Sequence, residues 1–294
     1  MNPAVKDPAE IFIVGCGDIG RRVAARWQQR GIPVRGMVRQ QHSASLLQKQ
    51  GITPVVANLD HPATLSVRPR GNTLLYYFAP PPASGREDTR MRHWLASLDP
   101  QQLPSRMVLI STSGVYGDRQ GALVNEETPP NPQVDRAWRR LDAEQQLRRF
   151  GRQHRLAVVI LRVGGIYAAD RLPVKRIEKG VPVLHERLAP HTNRIHAEDL
   201  ARVCVEAGRR GRADTVYNVS DGDESNMTAY FNTVADFLGL PRPPAIGWEE
   251  AENRLSAGML SYLRESRRLD NRRMLQEFGI TLKYPDLQSG LAAG

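Results

Sequence analysis

Ile11-Phe12-Ile13-Val14-Gly15-Cys16-Gly17-Asp18-Ile19-Gly20-Arg21-Arg22-Val23-Ala24-Ala25-Arg26-Trp27 passes from a short apolar run, through three glycines, into helical spacing. The apolar run reads as a strand. Val23 and Trp27, four apart, form the face of a helix that packs on a sheet. Between them Gly15 permits a tight turn, Gly17 lets backbone approach a pyrophosphate, and Gly20 lets the helix pack close to the strand. The helix N-terminus then offers free N–H groups and the positive end of its dipole to phosphates. A glycine pattern of this kind is a weak signal alone. Strand, turn and helix in this order make it a dinucleotide site, with Gly15, Cys16, Gly17, Asp18, Ile19 and Gly20 expected against the cofactor.

The first half continues the alternation. Strands are expected at 11–14, 33–38, 54–57, 73–78, 107–111 and 158–162, with helices at 20–30, 43–50, 87–98 and 133–150. This βαβ rhythm predicts an α/β fold: a Rossmann, doubly wound parallel sheet with helices on both faces. Past residue 166 the regularity fades. A strand at 216–219, a helix capped at Ser225 and closed by Gly239, and a helical tail at 269–278 suggest a smaller C-terminal α/β substrate domain. The expected division is 1–166 with 195–220 for the dinucleotide domain, and 167–194 with 221–294 for the substrate domain. The Pro-rich segment 240–244 reads as a connecting loop.

The end of the second strand selects the dinucleotide. An NAD site carries an Asp or Glu about 20 residues past the motif, on the ribose 2′-hydroxyl. Here that place holds Arg39. A guanidinium can grip a 2′-phosphate through charge-assisted bonds, so NADP(H) is expected in preference to NAD(H). Asn58 and Leu59, after the third strand, and Ala79, after the fourth, are expected to meet the adenosine half.

Bulk properties exclude several classes. The 294 residues are 40% hydrophobic and 24% charged, an ordinary globular composition. No apolar run approaches the roughly 18 residues of a membrane span, and residues 1–10 do not read as a secretory signal. A cytoplasmic protein is expected, as monomer or homodimer, with no membrane partner. Two cysteines make no disulfide framework, and Cys16 reads as a small space-filler. The net charge of +10 raises the question of nucleic acid. However, 36 of the 41 basic residues are Arg, spread along the whole chain without interleaved aromatics. An Arg-biased solvated surface, with no nucleic acid partner, is the expected reading.

Three further stretches carry a resemblance: Ile110-Ser111-Thr112-Ser113-Gly114-Val115-Tyr116-Gly117, Leu161-Arg162-Val163-Gly164-Gly165-Ile166-Tyr167 and Arg194-Ile195-His196-Ala197-Glu198-Asp199-Leu200-Ala201. With the glycine motif, in this order and spacing, they resemble the extended and atypical short-chain dehydrogenase/reductase superfamily, the NAD-dependent epimerase/dehydratase group. The resemblance implies that Thr112 is the hydroxyl that hydrogen-bonds the reacting oxygen, although a Thr there can simply cap the strand end. It implies that Tyr116 and Tyr167 pack and position loops, and that His196 and Asp199 tie the two domains together.

The same alignment exposes a departure. The family's Tyr-x-x-x-Lys pair puts both side chains on one helix face. The "LxxEQ" ending at 141–145 places Arg136 at the Tyr position and Arg140 at the Lys position. A one-residue slip would select Asp135 and Arg139 instead. An arginine cannot take up a proton near neutrality, so any proton donor is expected to be a substrate group, a water or Tyr116. Arg140 can still donate to a ribose hydroxyl. Together Arg136 and Arg140 are expected to make a positive site beside the nicotinamide that favours an anionic small-molecule substrate. The glycine motif is GxGxxG, whereas extended members usually carry GxxGxxG. Thr192 stands where the family's sugar-nucleotide arginine usually lies, so a nucleotide sugar is not the expected substrate. An oxidoreductase or epimerase-like enzyme, or a non-catalytic NADP(H) sensor, fits this reading.

Overall fold

The structure, a computed structural model, describes residues 7–67, 69 and 71–292. Strands β1 (Glu10–Val14), β2 (Val34–Val38), β3 (Thr53–Val56), β4 (Gly71–Tyr77) and β5 (Pro104–Thr112) are followed by a short β6 (Leu123–Val124) and by β7 (Ala157–Val163). Then come β8 (Gly165–Tyr167), β9 (Val183–Leu184), β10 (Arg194–His196), β11 (Thr215–Val219), β12 (Ala245–Ile246) and β13 (Arg268–Leu269). Seven of these form one parallel sheet in the order β3-β2-β1-β4-β5-β7-β11. The chain starts in the middle and winds outward in both directions, so the strand order reverses between β1 and β4. That reversal opens the crevice where doubly wound sheets bind ligands.

Both faces of the sheet are covered. Ile11 and Ile13 pack with Val23 and Trp27 of α1 (Asp18–Gln28), Leu47 of α2 (Gln41–Lys49), and Leu200 and Cys204 of α6 (Ala197–Arg210). Phe12 and Val14 point the other way, onto Met91 and Trp94 of α3 (Thr89–Ser97) and Ala143 and Leu147 of α4 (Asp135–His154). A strand buried on both faces needs no polar alternation, which is why residues 11–14 are uniformly apolar. The fully buried Trp27 donates its indole N–H to Tyr76 Oη at 3.0 Å, and Tyr76 donates on to the Cys204 carbonyl at 3.1 Å.

The smaller elements gather beyond the carboxyl ends of the strands. They include α5 (Val174–Glu178), α7 (Met227–Phe237), α8 (Trp248–Arg254), α9 (Ala257–Leu263) and α11 (Leu287–Leu291), with the two-stranded pairs β8–β10 and β9–β12. Helix α7 starts one residue later than expected: Asn226, not Ser225, accepts the cap bond, from Ala229 N–H at 2.8 Å. Ser225 is turned toward Asp223 and Arg194 instead. The tail helix α10 (Arg272–Phe278) behaves differently from the elements it was grouped with. Its Met274 and Phe278 are buried with Tyr217 and Val219 of β11, against the outer layer of the sheet.

The positive charge is dispersed. Arg212 meets Glu277, Arg242 meets Asp236, Arg254 meets Glu250 and Arg152 meets Asp214, at 2.5–2.9 Å on separate parts of the surface. No described helix is long and apolar enough to cross a membrane.

Candidate functional site

Gly15 follows β1 with φ +82°, and a Cβ there would lie 2.5 Å from the Ala79 backbone nitrogen. The turn therefore presses directly on the chain leaving β4, at the point where strand order reverses, and only glycine fits. Gly15 and Cys16 N–H both donate to the Met37 carbonyl, at 3.1 and 2.9 Å, and Gly17 N–H donates to Gly15 O at 2.8 Å. The first helical bond of α1 is Arg21 N–H to Gly17 O at 2.9 Å. Among the described residues, the N–H groups of Asp18, Ile19 and Gly20 have no acceptor, and no side chain caps the helix. A Cβ on Gly17 would meet nothing within 4 Å. Three free donors facing open space suit an anion such as a pyrophosphate.

Cys16 and Ile19 turn inward. Burial pushes the Cys16 thiol up to about 12, and its sulfur would lie 2.9 Å from a Cβ on Gly36. The thiol fills space under β2, as its composition context suggested, so any contact it offers a cofactor comes from the backbone. Asp18 is committed to cations. Its carboxylate accepts from Arg22 Nε at 3.0 Å and from Arg171 Nη1 at 2.8 Å. Burial pushes its pKa up, but those two guanidinium groups outweigh it and hold the carboxyl below its ordinary range.

At the other end of the crevice, Gly15, Arg39, Asn58, Leu59 and Ala79 line one cleft of about 260 Å³. Arg39 is exposed and makes no hydrogen bond or ion pair among the described residues. Asn58 uses its side-chain oxygen to accept from Asp60 N–H at 3.0 Å, and Leu59 O meets His93 Nδ1 at 2.7 Å. Sequence reasoning missed Arg90 in this wall. It forks onto both oxygens of Asp60 at 2.7 Å and also donates to the carbonyls of Pro80 and Pro81. Nothing local marks it, because its partners lie thirty and ten residues away.

Thr112 ends β5 and sits directly opposite Val163 of β7. Its Oγ1 accepts from Gly114 N–H at 3.2 Å, so the capping role is real. That bond uses a lone pair and leaves the hydroxyl proton free to donate. Arg140 reaches the same strand ends, where its Nη1 donates to the carbonyls of Ala79 and Ile110 at 3.3 Å each. Burial pulls its pKa down, opposed by Asp88, Tyr77 and Glu144.

Arg136 lies on the same side of α4 but does not join Arg140. Its Nη1 donates to Ser261 Oγ at 2.8 Å, and its guanidinium lies 3.8 Å over the Tyr262 ring of α9. Neither arginine pairs along the helix, since Asp135 binds Arg86 and Glu144 binds Arg162. The expected two-guanidinium site is thus split: Arg140 sits at the strand ends, and Arg136 is stacked on the smaller unit. The slipped alternative faces elsewhere, because Arg139 donates to Gly85 O and Asp135 is exposed beside Arg86.

Two tyrosines are structural. Tyr116 is fully buried and donates to Asn218 Oδ1 at 2.7 Å, with Arg162 4.8 Å from its ring centre. This corrects the expectation that it could donate a proton to substrate. Tyr167 donates to Asp286 O at 3.0 Å. His196 caps α6 by accepting from Glu198 N–H and packs between Tyr167 and Tyr284. The buried Asp199 accepts from the N–H groups of Lys283 and Tyr284 at 3.0 and 2.7 Å, pinning the C-terminal segment to α6.

Two residues past Val163, Gly165 opens a second pocket of about 240 Å³. Tyr230 and Phe231 of α7, Met227, and Met259, Tyr262 and Leu263 near α9 make most of its wall. Arg176 and Arg194 enter it, stacked 4.2 Å over Phe231 and 4.0 Å over Tyr230. No group of metal-ligating side chains occurs among the described residues.

A parallel sheet, a glycine turn at its switch point and a cleft on either side define a dinucleotide-binding protein. The chain belongs to the NAD(P)H-binding family whose model matches residues 15–209. It is similar to a 4-hydroxy-2-methyl-3-oxo-4-farnesyl-3,4-dihydroquinoline-1-oxide ketoreductase of Stigmatella aurantiaca, 23% identical over 242 residues that span 77% of this chain and 72% of the relative. A functionally unknown conserved protein of Silicibacter pomeroyi is 27% identical, with 97% of each chain covered and a TM-score of 0.80. The UDP-glucose 4-epimerase of Thermotoga maritima, solved with UDP-glucose, shares the fold at 17% identity, with 96% of each chain covered and a TM-score of 0.77. The NAD(P)H-binding assignment expected from the glycine motif therefore holds, and the epimerase shows the same fold.

Proposed function

We propose that this chain is an NADP(H)-dependent oxidoreductase of the atypical short-chain dehydrogenase/reductase type, acting on a small carbonyl or alcohol. The observation that carries the cofactor choice is Arg39: an unpaired guanidinium in the wall of the adenosine cleft, at the position where an NAD site carries a carboxylate. The first turn of α1 would hold the pyrophosphate, Asn58, Leu59 and Ala79 would meet the adenosine half, and Arg140 would donate to the nicotinamide ribose. When bound, the nicotinamide supplies or accepts the hydride. Thr112 holds the reacting oxygen through its free hydroxyl proton. Tyr262, in the wall of the second pocket with its ring against Arg136, is our candidate for the proton role that Tyr116 cannot fill. Residues 167–194 and most of 221–294 form the substrate side.

Calorimetry with NADPH and NADH tests the cofactor assignment. The native protein should prefer NADPH at least about tenfold, the worth of one charge-assisted phosphate contact. Arg39→Glu should abolish or invert that preference, and equal native affinities would refute it. A second reading, a sensor that binds NADP(H) without turnover, is favoured by the two arginines at 136 and 140. NADPH oxidation with a panel of carbonyl compounds, lost in Thr112→Val, separates the two.

A further inference from the structure

Most of the buried or half-buried arginines among the described residues have side-chain partners. Arg162 forks onto Glu144, Arg194 donates to Thr192 and to Ser225 Oγ at 3.0 Å, and Arg267 reaches Gly117 O at 2.8 Å. Arg176 is different. It is half-buried, stacks on Phe231, and has no side-chain hydrogen bond or ion pair among the described residues. Its Nε is buried without a partner. No Asp or Glu lines the pocket it enters: beside Thr192, Asn193 and Arg194, whose guanidinium already donates to Thr192 and Ser225, the wall is aromatic rings, methionines and Leu263. A guanidinium drawn partly out of water with no counter-charge is unfavourable unless a ligand completes it.

We propose that this pocket binds a small planar acid: a carboxylate on Arg176, with a flat apolar body between the Phe231 and Tyr230 side and the methionines. The assignment deepens the oxidoreductase reading and rests on it only for the direction of the body. Gly165 also lines the pocket, two residues past Val163, which pairs with Thr112 in the neighbouring strand. An acid held by Arg176 would thus extend toward Thr112. The volume, about 240 Å³, is below the roughly 300–1,000 Å³ of sites for drug-sized ligands. That size suits a one- or two-ring acid better than a nucleotide sugar. The flexible side chains of Met227 and Met259 can adjust to its outline.

The probe is 2-naphthoate, with its neutral amide 2-naphthamide as control, titrated into the full chain with and without NADPH. The native protein should bind the acid at least tenfold tighter than the amide. Arg176→Gln should erase that difference while NADPH affinity stays unchanged, and Arg176→Lys should retain part of it. Phe231→Leu should weaken acid and amide alike. Equal native affinities, no binding of the acid, or an unchanged preference in Arg176→Gln would overturn the proposal, as would competition between naphthoate and NADPH. If the acid preference holds but NADPH does not bind, the pocket stands and the oxidoreductase reading fails.

Discussion

Replacing Glu144 by glutamine should cost this fold about 3–5 kcal/mol, because it strands a buried guanidinium. The side chains of Arg162 and Glu144 are 4% and 2% exposed. The carboxylate accepts from Arg162 Nη2 at 2.8 Å, from Arg162 Nε at 3.2 and 3.3 Å, and from Ser111 Oγ at 2.5 Å. Glutamine keeps one acceptor but turns an amide donor toward two other donors, and the positive charge of Arg162 goes uncompensated. Loss of the Ser111 hydroxyl alone removes one hydrogen bond, so Ser111→Ala should cost only about 1–3 kcal/mol. Removing both charges together, as Glu144→Leu with Arg162→Met, should cost less than Glu144→Gln, since no charge is left behind. Part of that remaining loss is the contact of Arg162 with the Tyr116 ring, worth about 0.5–2 kcal/mol. Guanidinium chloride unfolding of the four proteins, compared at constant slope, measures all of this. A Glu144→Gln loss under 1 kcal/mol, or a double variant no more stable than the single, refutes the reasoning.

Burial pushes the Asp221 carboxyl up from 3.8 to about 7. The folded state therefore holds a proton that the unfolded state has released, and stability should fall as pH rises between about 4 and 7. Asp221→Asn should flatten that slope and gain up to about 4 kcal/mol at pH 8; a native stability that does not change across this window rules the effect out. Gly117 has φ +64°, and a Cβ there would lie 2.0 Å from the Asn131 carbonyl oxygen. Gly117→Ala should thus lower the melting temperature sharply, while Gly85→Ala, also at positive φ but with nothing within 4 Å, should cost only about 1–2 kcal/mol; similar losses at both would show that strain alone matters. Tyr262→Phe should reduce turnover at least about tenfold without changing NADPH affinity, and an unaltered rate removes Tyr262 from the proton path.

The sheet was legible because its strands carry their burial in their composition. Residues 11–14 are apolar throughout, and the glycine turn that follows has one steric solution. That Arg39, Asn58, Leu59 and Ala79 would line one cleft was legible for a similar reason: all follow strand ends, and a parallel sheet brings those ends together. Tyr116 packs as the resemblance implied, but its alternative as proton donor falls away because a motif gives sequence neighbours and not depth: this phenol is sealed against Asn218, 102 residues away. Arg136 was misjudged similarly. Helical spacing puts it on the Arg140 side of α4, but Ser261 and Tyr262, from a helix 125 residues later, draw it off. The pocket around Arg176 left no local trace, since its walls come from short elements with too few turns to show a period.

Every ion pair among the described residues has arginine as its cation. A lysine lattice would begin to discharge near pH 10, whereas guanidinium groups keep their charge beyond pH 12. Alkali therefore leaves this lattice intact, and it comes apart only on the acid side, as the carboxylates take up protons. With five lysines in the whole chain, amine-directed reagents and lysine acylation find few places to act. The surface is strongly positive yet nearly inert to the chemistry by which cells and chemists alike usually neutralise positive charge.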